Sequence, residues 1–183
     1  MEKLQISKTK KIILSALLLA LYIILDRVLT FNTQIVVINV SLISVALAAI
    51  YLGPKYSILV GALGDLIGSL IMPFGPYFPG FTLSLAINGA IYGFMLYKNP
   101  NKEISNKKFL IRIVLANLLV VGIVGLFIDS FWISILYEKA FWAFMLTRII
   151  GKSIIFPMLL ILTIALEKML TPLAYKYLYE EKE

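Results

Sequence analysis

The sequence holds no cysteine and no histidine in its 183 residues. Without cysteine there is no disulfide framework and no thiolate metal site. Without histidine the commonest general base and metal ligand is missing, so neither a serine–histidine–aspartate hydrolase nor a zinc enzyme fits, and no cofactor or metal is expected. Charge is scarce as well. Charged residues make up 15% of the chain and hydrophobic ones 61%, where a soluble domain carries about 25% and 45–50%. No soluble fold of this size could cover so much apolar surface. The chain is expected to sit in the lipid bilayer of the cell as a single multi-pass domain over residues 1–183.

The net charge of +7 raises nucleic acid as a partner, but the pattern excludes it. The lysines cluster in short segments between apolar runs, which is how a membrane protein is oriented. A helix needs about 20 mostly apolar residues to cross the hydrocarbon core. Six stretches are candidates: Lys11–Leu29, Val37–Leu52, Pro54–Met72, Gly80–Tyr97, Phe109–Phe131 and Ala140–Leu166, the last containing Pro157, which should bend or locally open it. The fold class is therefore an all-α, six-helix membrane bundle. Residues 1–30 mimic a signal peptide, yet the apolar stretch is long and no small-residue cleavage site follows. Placing the N-terminus in the cytoplasm puts Lys3, Lys8, Lys10, Lys11, Lys55, Lys98, Lys102, Lys107, Lys108, Lys168, Lys176 and Lys182 inside and leaves Lys139 outside. Both termini are then cytoplasmic.

Arg27, Arg148 and Lys152 do not serve that orientation. A charge at membrane depth is costly and persists mainly where it faces a cavity, a partner or a substrate. Lys152 follows Arg148 by four residues, about 6 Å along one helix face. The pair points to a buried site for something anionic; the plain competing reading is snorkelling to the outer headgroups. Asp65, inside Gly61-Ala-Leu-Gly-Asp-Leu-Ile-Gly68, could relay protons, pair with an arginine or touch a ligand. Asn88 could join helices or read a ligand. Gly64-xxx-Gly68, Gly89-xxx-Gly93 and Ala16-xxx-Ala20 are small-residue strips suited to close helix approach. Gly151-Lys152-Ser153 imitates the end of a phosphate-binding loop, but Leu146 stands where that loop needs glycine. The loop Met72-Pro-Phe-Gly-Pro-Tyr-Phe-Pro-Gly80 is stiff and aromatic. It suits a lid over a planar ligand, or an interfacial anchor.

Several of these segments together resemble the substrate-binding S components of energy-coupling factor (ECF) vitamin transporters, and among them the folate type. The segments are Leu52-Gly-Pro, Val60-Gly-Ala-Leu-Gly-Asp65, Tyr77-Phe-Pro-Gly-Phe-Thr-Leu-Ser84, Gly89-Ala-Ile-Tyr-Gly93 and Thr147-Arg-Ile-Ile150 followed by Pro157. The resemblance implies six transmembrane helices, no enzymatic activity and capture of a vitamin from outside. It also implies a shared transmembrane coupling subunit and two ATPase subunits as partners, with Ala16 and Ala20 in the docking strip. Folate has a flat pterin, an aromatic spacer and two carboxylates, so it needs rings and cations. On this reading Arg148 meets a carboxylate or polar edge, with Lys152 as a second cation. Arg27 closes the site. Phe31, Tyr77 and Phe81 pack on rings, with Thr82 beside them, and Asn88 and Asp65 read the heterocycle. Two other readings stand beside it. One is a proton-coupled secondary transporter of a small organic anion, with Asp65 as relay. The other is a membrane-embedded lipid enzyme, for which only scattered carboxylates remain as acid and base.

Overall fold

A computed structural model describes residues 4–32, 37–102, 104–138 and 141–181. Six helical rods make the bundle: α1 (Lys8–Ile23, continued by a π turn, Ile24–Val28), α2 (Leu42–Leu52), α3 (Pro54–Ile71), α4 (Pro79–Leu96), α5 (Asn106–Tyr137) and α6 (Phe141–Tyr177). Four two-residue strands pair at the ends: β1 (Leu4–Gln5) with β4 (Glu180–Glu181), and β2 (Phe31–Asn32) with β3 (Val37–Ile38). The first pairing brings the two ends of the chain together. Asn101 joins them there, bonding the backbone of Leu4 in both directions at 2.8 and 2.9 Å. Opposite lies the far end, with the loop after α1, the Met72–Phe78 loop and the α5–α6 connection. The lysines of α1, of the α4–α5 connection and of the last turns of α6 gather at the termini end. Lys3, Lys139 and Lys182 lie outside the described residues.

Four rods, α3 to α6, are long and apolar enough to cross a membrane. The expected second span is not one. Val37 and Ile38 belong to a strand, and α2 has 11 residues, about 16 Å of helix. A run of β-branched residues has the hydropathy of a helix without its geometry. The chain turns where the side-chain Oδ1 of Asn39 accepts the Ser41 N–H at 2.6 Å, an Asx turn that lets α2 begin only afterwards. α2 is the centre of the bundle, with every residue from Ile43 to Leu52 buried, as suits a helix that is apolar all round. Gly53, at φ 88°, reverses the chain into α3, and Pro54 starts that helix. α5 and α6 run past their expected limits, and α6 is unbroken across Pro157 and Pro172.

Small residues set the spacing. A methyl group at Gly89 would meet the backbone of Ser57 and Ile58, so α3 and α4 touch main chain to main chain. Gly64 and Gly68 serve a different purpose: they make room for the Tyr22 ring and the Arg27 side chain of α1. Two π segments, Ile24–Val28 and Leu119–Ile128, interrupt α1 and α5, both in the far half.

Candidate binding site

Charges that would be stranded in lipid meet each other at the far end. On the α1–α3 side, Arg27 Nε lies 2.9 Å from Asp26 Oδ2, and its Nη2 lies 3.6 Å from Asp65 Oδ1. The contact with Asp26 is close, though Nε does not reach hydrogen-bond geometry. Nη1 donates to the Met72 carbonyl at 3.4 Å, and the guanidinium lies 5.1 Å from the Phe74 ring centre. Its side chain is 8% exposed, so Arg27 turns inward instead of snorkelling. The carboxylates have further donors. Asp26 Oδ1 accepts from Ser41 Oγ at 3.2 Å and from Asn39 Nδ2. Asp65 Oδ2 accepts from Thr82 Oγ1 at 2.6 Å, and Thr82 is 3.0 Å from the Tyr77 hydroxyl. Arg27, Asp65, Thr82 and Tyr77 thus form one continuous polar wall from α1 through α3 to the lip of α4.

Facing it from α5 and α6 is a second group. Arg148 Nη2 lies 3.5 Å from Asp129 Oδ2, and Lys152 is within electrostatic reach of both. The Lys152 amine rests against Gly125 in the π segment, where a side chain on the glycine would come within 2.8 Å of it. Several buried polar atoms in this half of the bundle have no hydrogen-bond partner. Among the described residues these include Asn88 Oδ1 on α4, Ser130 Oγ and Asp129 Oδ1 on α5, and Arg148 Nη1 on α6. Asn88 is 5% exposed. Unpaired buried polar atoms are rare in folded proteins because each costs about 1–3 kcal/mol. A cluster of them is arranged for a polar guest.

Aromatic side chains roof this space. Phe78 packs edge-on against Phe81, centroids 6.0 Å apart, and lies 5.8 Å from Trp132 of α5. Trp132 in turn donates to Ser84 Oγ at 3.1 Å, which ties α5 to α4. Tyr77 stays largely open at the rim. The ring of Phe31 lies outside the described residues. A separate cleft of about 440 Å³ between α4, α5 and α6 is lined by Ile87, Phe127, Ile128, Phe131, Trp132 and Phe141. With only apolar walls it cannot orient a charged ligand. The described residues hold no cluster of three or more metal-ligating side chains.

The structure therefore brings Arg27, Asp65, Tyr77 and Thr82 together, and Arg148 with Lys152, and buries Asn88 on α4. The sequence places Asp26 beside Arg27 and Asp129 near the outer end of the fifth helix without making either a site residue, and gives no sign of Ser130 or Trp132. The signal for the two aspartates was present: each stands at the membrane depth of an arginine, and a buried guanidinium needs a counter-ion. Ala16 and Ala20 lie far from this site. They are exposed on the outer face of α1, flanked by the exposed Ile12, Ile13, Leu17 and Leu21.

Comparisons with known proteins bear on the family and the fold. The sequence pattern described as "ECF-type riboflavin transporter, S component" matches residues 6–172. A folate transporter FolT of Clostridium novyi (strain NT) is 36% identical over 150 residues, covering 82% of this chain and 83% of the relative. A folate transporter FolT of Leuconostoc mesenteroides is 32% identical over 154 residues, covering 81% and 80%. The crystal structure of FolT bound with folic acid superposes with a TM-score of 0.76 at 31% identity, over 88% of this chain and 94% of that one. A membrane bundle with inward-facing charges, a far-end polar interior and this breadth of similarity belongs to the family of ECF-type transporter S components.

Proposed function

We propose that this chain captures folate, or a close relative of it, in the far-end interior and hands it to an ATP-driven module for uptake. The observation that carries this reading is the set of buried polar atoms without partners on α4, α5 and α6, in the half of the bundle that holds the Arg27 and Arg148 ion pairs. Arg148 and Lys152 supply positive charge, and Arg27, Asp65 and Thr82 supply a preassembled wall. Asn88 offers a free acceptor to the amino group of a pterin. Asp65 already has Thr82 on one oxygen and Arg27 on the other, so its part is to hold the wall more than to grip the guest. Tyr77, Phe81 and Phe31 supply ring faces. Two relatives are folate transporters FolT and the matching solved structure holds folic acid, which favours folate among vitamins of this general shape.

The gathering of lysines at the termini end supports a cytoplasmic position for both termini, so the binding site opens outward. The chain performs no chemistry of its own; a coupling subunit and two ATPase subunits provide the work. The smooth exposed strip around Ala16 and Ala20 suits docking on that coupling subunit. A proton-driven transporter is disfavoured by the family, and Asp65 is engaged as a structural acceptor. The test is direct: titrate the purified protein in detergent with folic acid and follow tryptophan fluorescence, since Trp132 lies in the roof. Saturable binding supports the reading; no binding of folic acid or its reduced forms would sink it.

A further inference from the structure

We propose that the Arg148–Asp129 pair reads the lactam edge of the ligand's fused heterocycle, an N–H beside a C=O, and does not serve as a carboxylate clamp. The inference deepens the folate reading above and rests on it. The pair is joined by a single loose contact, Nη2 to Oδ2 at 3.5 Å, where an arginine and an aspartate can form two parallel hydrogen bonds. Each group keeps one buried atom without a partner: Nη1 of Arg148 and Oδ1 of Asp129. A guanidinium only donates, and an ionised carboxylate only accepts. One free donor and one free acceptor are thus carried on two groups already in contact.

A carboxylate guest offers acceptors alone. It would satisfy Arg148 Nη1, leave Asp129 Oδ1 orphaned, and bring negative charge against negative charge. A lactam edge satisfies both atoms and adds no charge. The pterin of folic acid has such an edge, with its ring N–H next to its carbonyl. Lys152 completes the arrangement. Its amine rests against Gly125, within electrostatic reach of both Asp129 and Arg148. The glutamate carboxylates of the ligand then point away from the α5–α6 pair.

The experiment measures dissociation constants by calorimetry on the detergent-purified full chain. The ligands are folic acid, pteroic acid, which lacks the glutamate, and p-aminobenzoylglutamate, which lacks the pterin. The proteins are the wild type, Asp129→Ala and Asp129→Asn. Asp129→Ala is expected to weaken folic acid and pteroic acid by the same factor, roughly tenfold or more, as for removal of a partner from a buried charged group. Asp129→Asn is expected to regain most of that loss, because its amide oxygen still accepts. A loss seen with folic acid but absent with pteroic acid would overturn the inference, and so would equal losses for Ala and Asn, which would make Asp129 a counter-ion only. A wild-type protein that binds neither pterin compound would overturn the folate reading itself and this inference with it. Should Asp129→Ala fail to fold, Arg148→Lys carries the same three-ligand comparison, since it keeps the charge on Asp129 company but loses the planar fork.

Discussion

The two charged groups at the far end have opposite balances. On the α1–α3 side one cation, Arg27, faces two carboxylates, Asp26 and Asp65. On the α5–α6 side two cations, Arg148 and Lys152, share one carboxylate, Asp129. The first group is nearly closed: its carboxylates accept from Ser41, Asn39 and Thr82, its guanidinium lies against Met72 and Phe74, and only Arg27 Nε, close to Asp26, lacks a hydrogen bond. The second is open, with a donor and an acceptor left over. The difference separates two uses of buried charge. A closed group braces helices, because removing any member strands the others in a low dielectric. An open group stores unsatisfied polarity that a ligand relieves on entry.

That contrast can be broken by substitution. The largest effect is expected at the closed side. Arg27→Ala leaves Asp26 and Asp65 buried without their shared cation, and should lower stability by about 3–5 kcal/mol; thermal unfolding in detergent measures it. Arg148→Ala should act mainly on the ligand, weakening folic acid by about 2–5 kcal/mol through loss of a desolvated partner. Its unfolding temperature should fall less than that of Arg27→Ala. An Arg148→Ala protein with full affinity would remove that residue from the site. Thr82→Val keeps shape and deletes the hydroxyl that caps Asp65, with an expected cost of about 1.5–3 kcal/mol in stability, as for a hydrogen bond to a charged group. Smallest in the isolated protein is Ala20→Trp, on the exposed face of α1: stability should stay within about 0.5 kcal/mol and binding should not change. Folate uptake by cells carrying the coupling module should nevertheless stop, because bulk there obstructs docking. Loss of binding in the isolated variant would contradict this division between capture and coupling.

Parts of the fold were legible from hydropathy alone. The spans near α3, α4, α5 and α6 come from long apolar runs, and the lysine pattern matches the shared end of the two termini. The second expected span was misread because hydropathy registers oil without geometry, and the Val37–Ile38 stretch is a strand closed by an Asn39 turn. The site was half legible. Arg27, Asp65, Arg148 and Lys152 stood out as charges in lipid, and they do converge. Their protein partners were harder to see. Asp129 follows ten π-helical residues, Leu119–Ile128, and a π segment shifts the angular register that an α-helical wheel assumes.

Composition and the order of residues determined that this chain lives in a bilayer, that it bundles helices, and that certain charges must be hidden from lipid. Those conclusions follow from transfer free energies, which depend on residue type and hardly on neighbours. Which carboxylate meets which guanidinium, which polar atoms stay unpaired, and which glycine makes room for Lys152 were decided by tertiary structure. Contacts between helices distant in sequence depend on phase and tilt, and a few residues of π winding are enough to reset both.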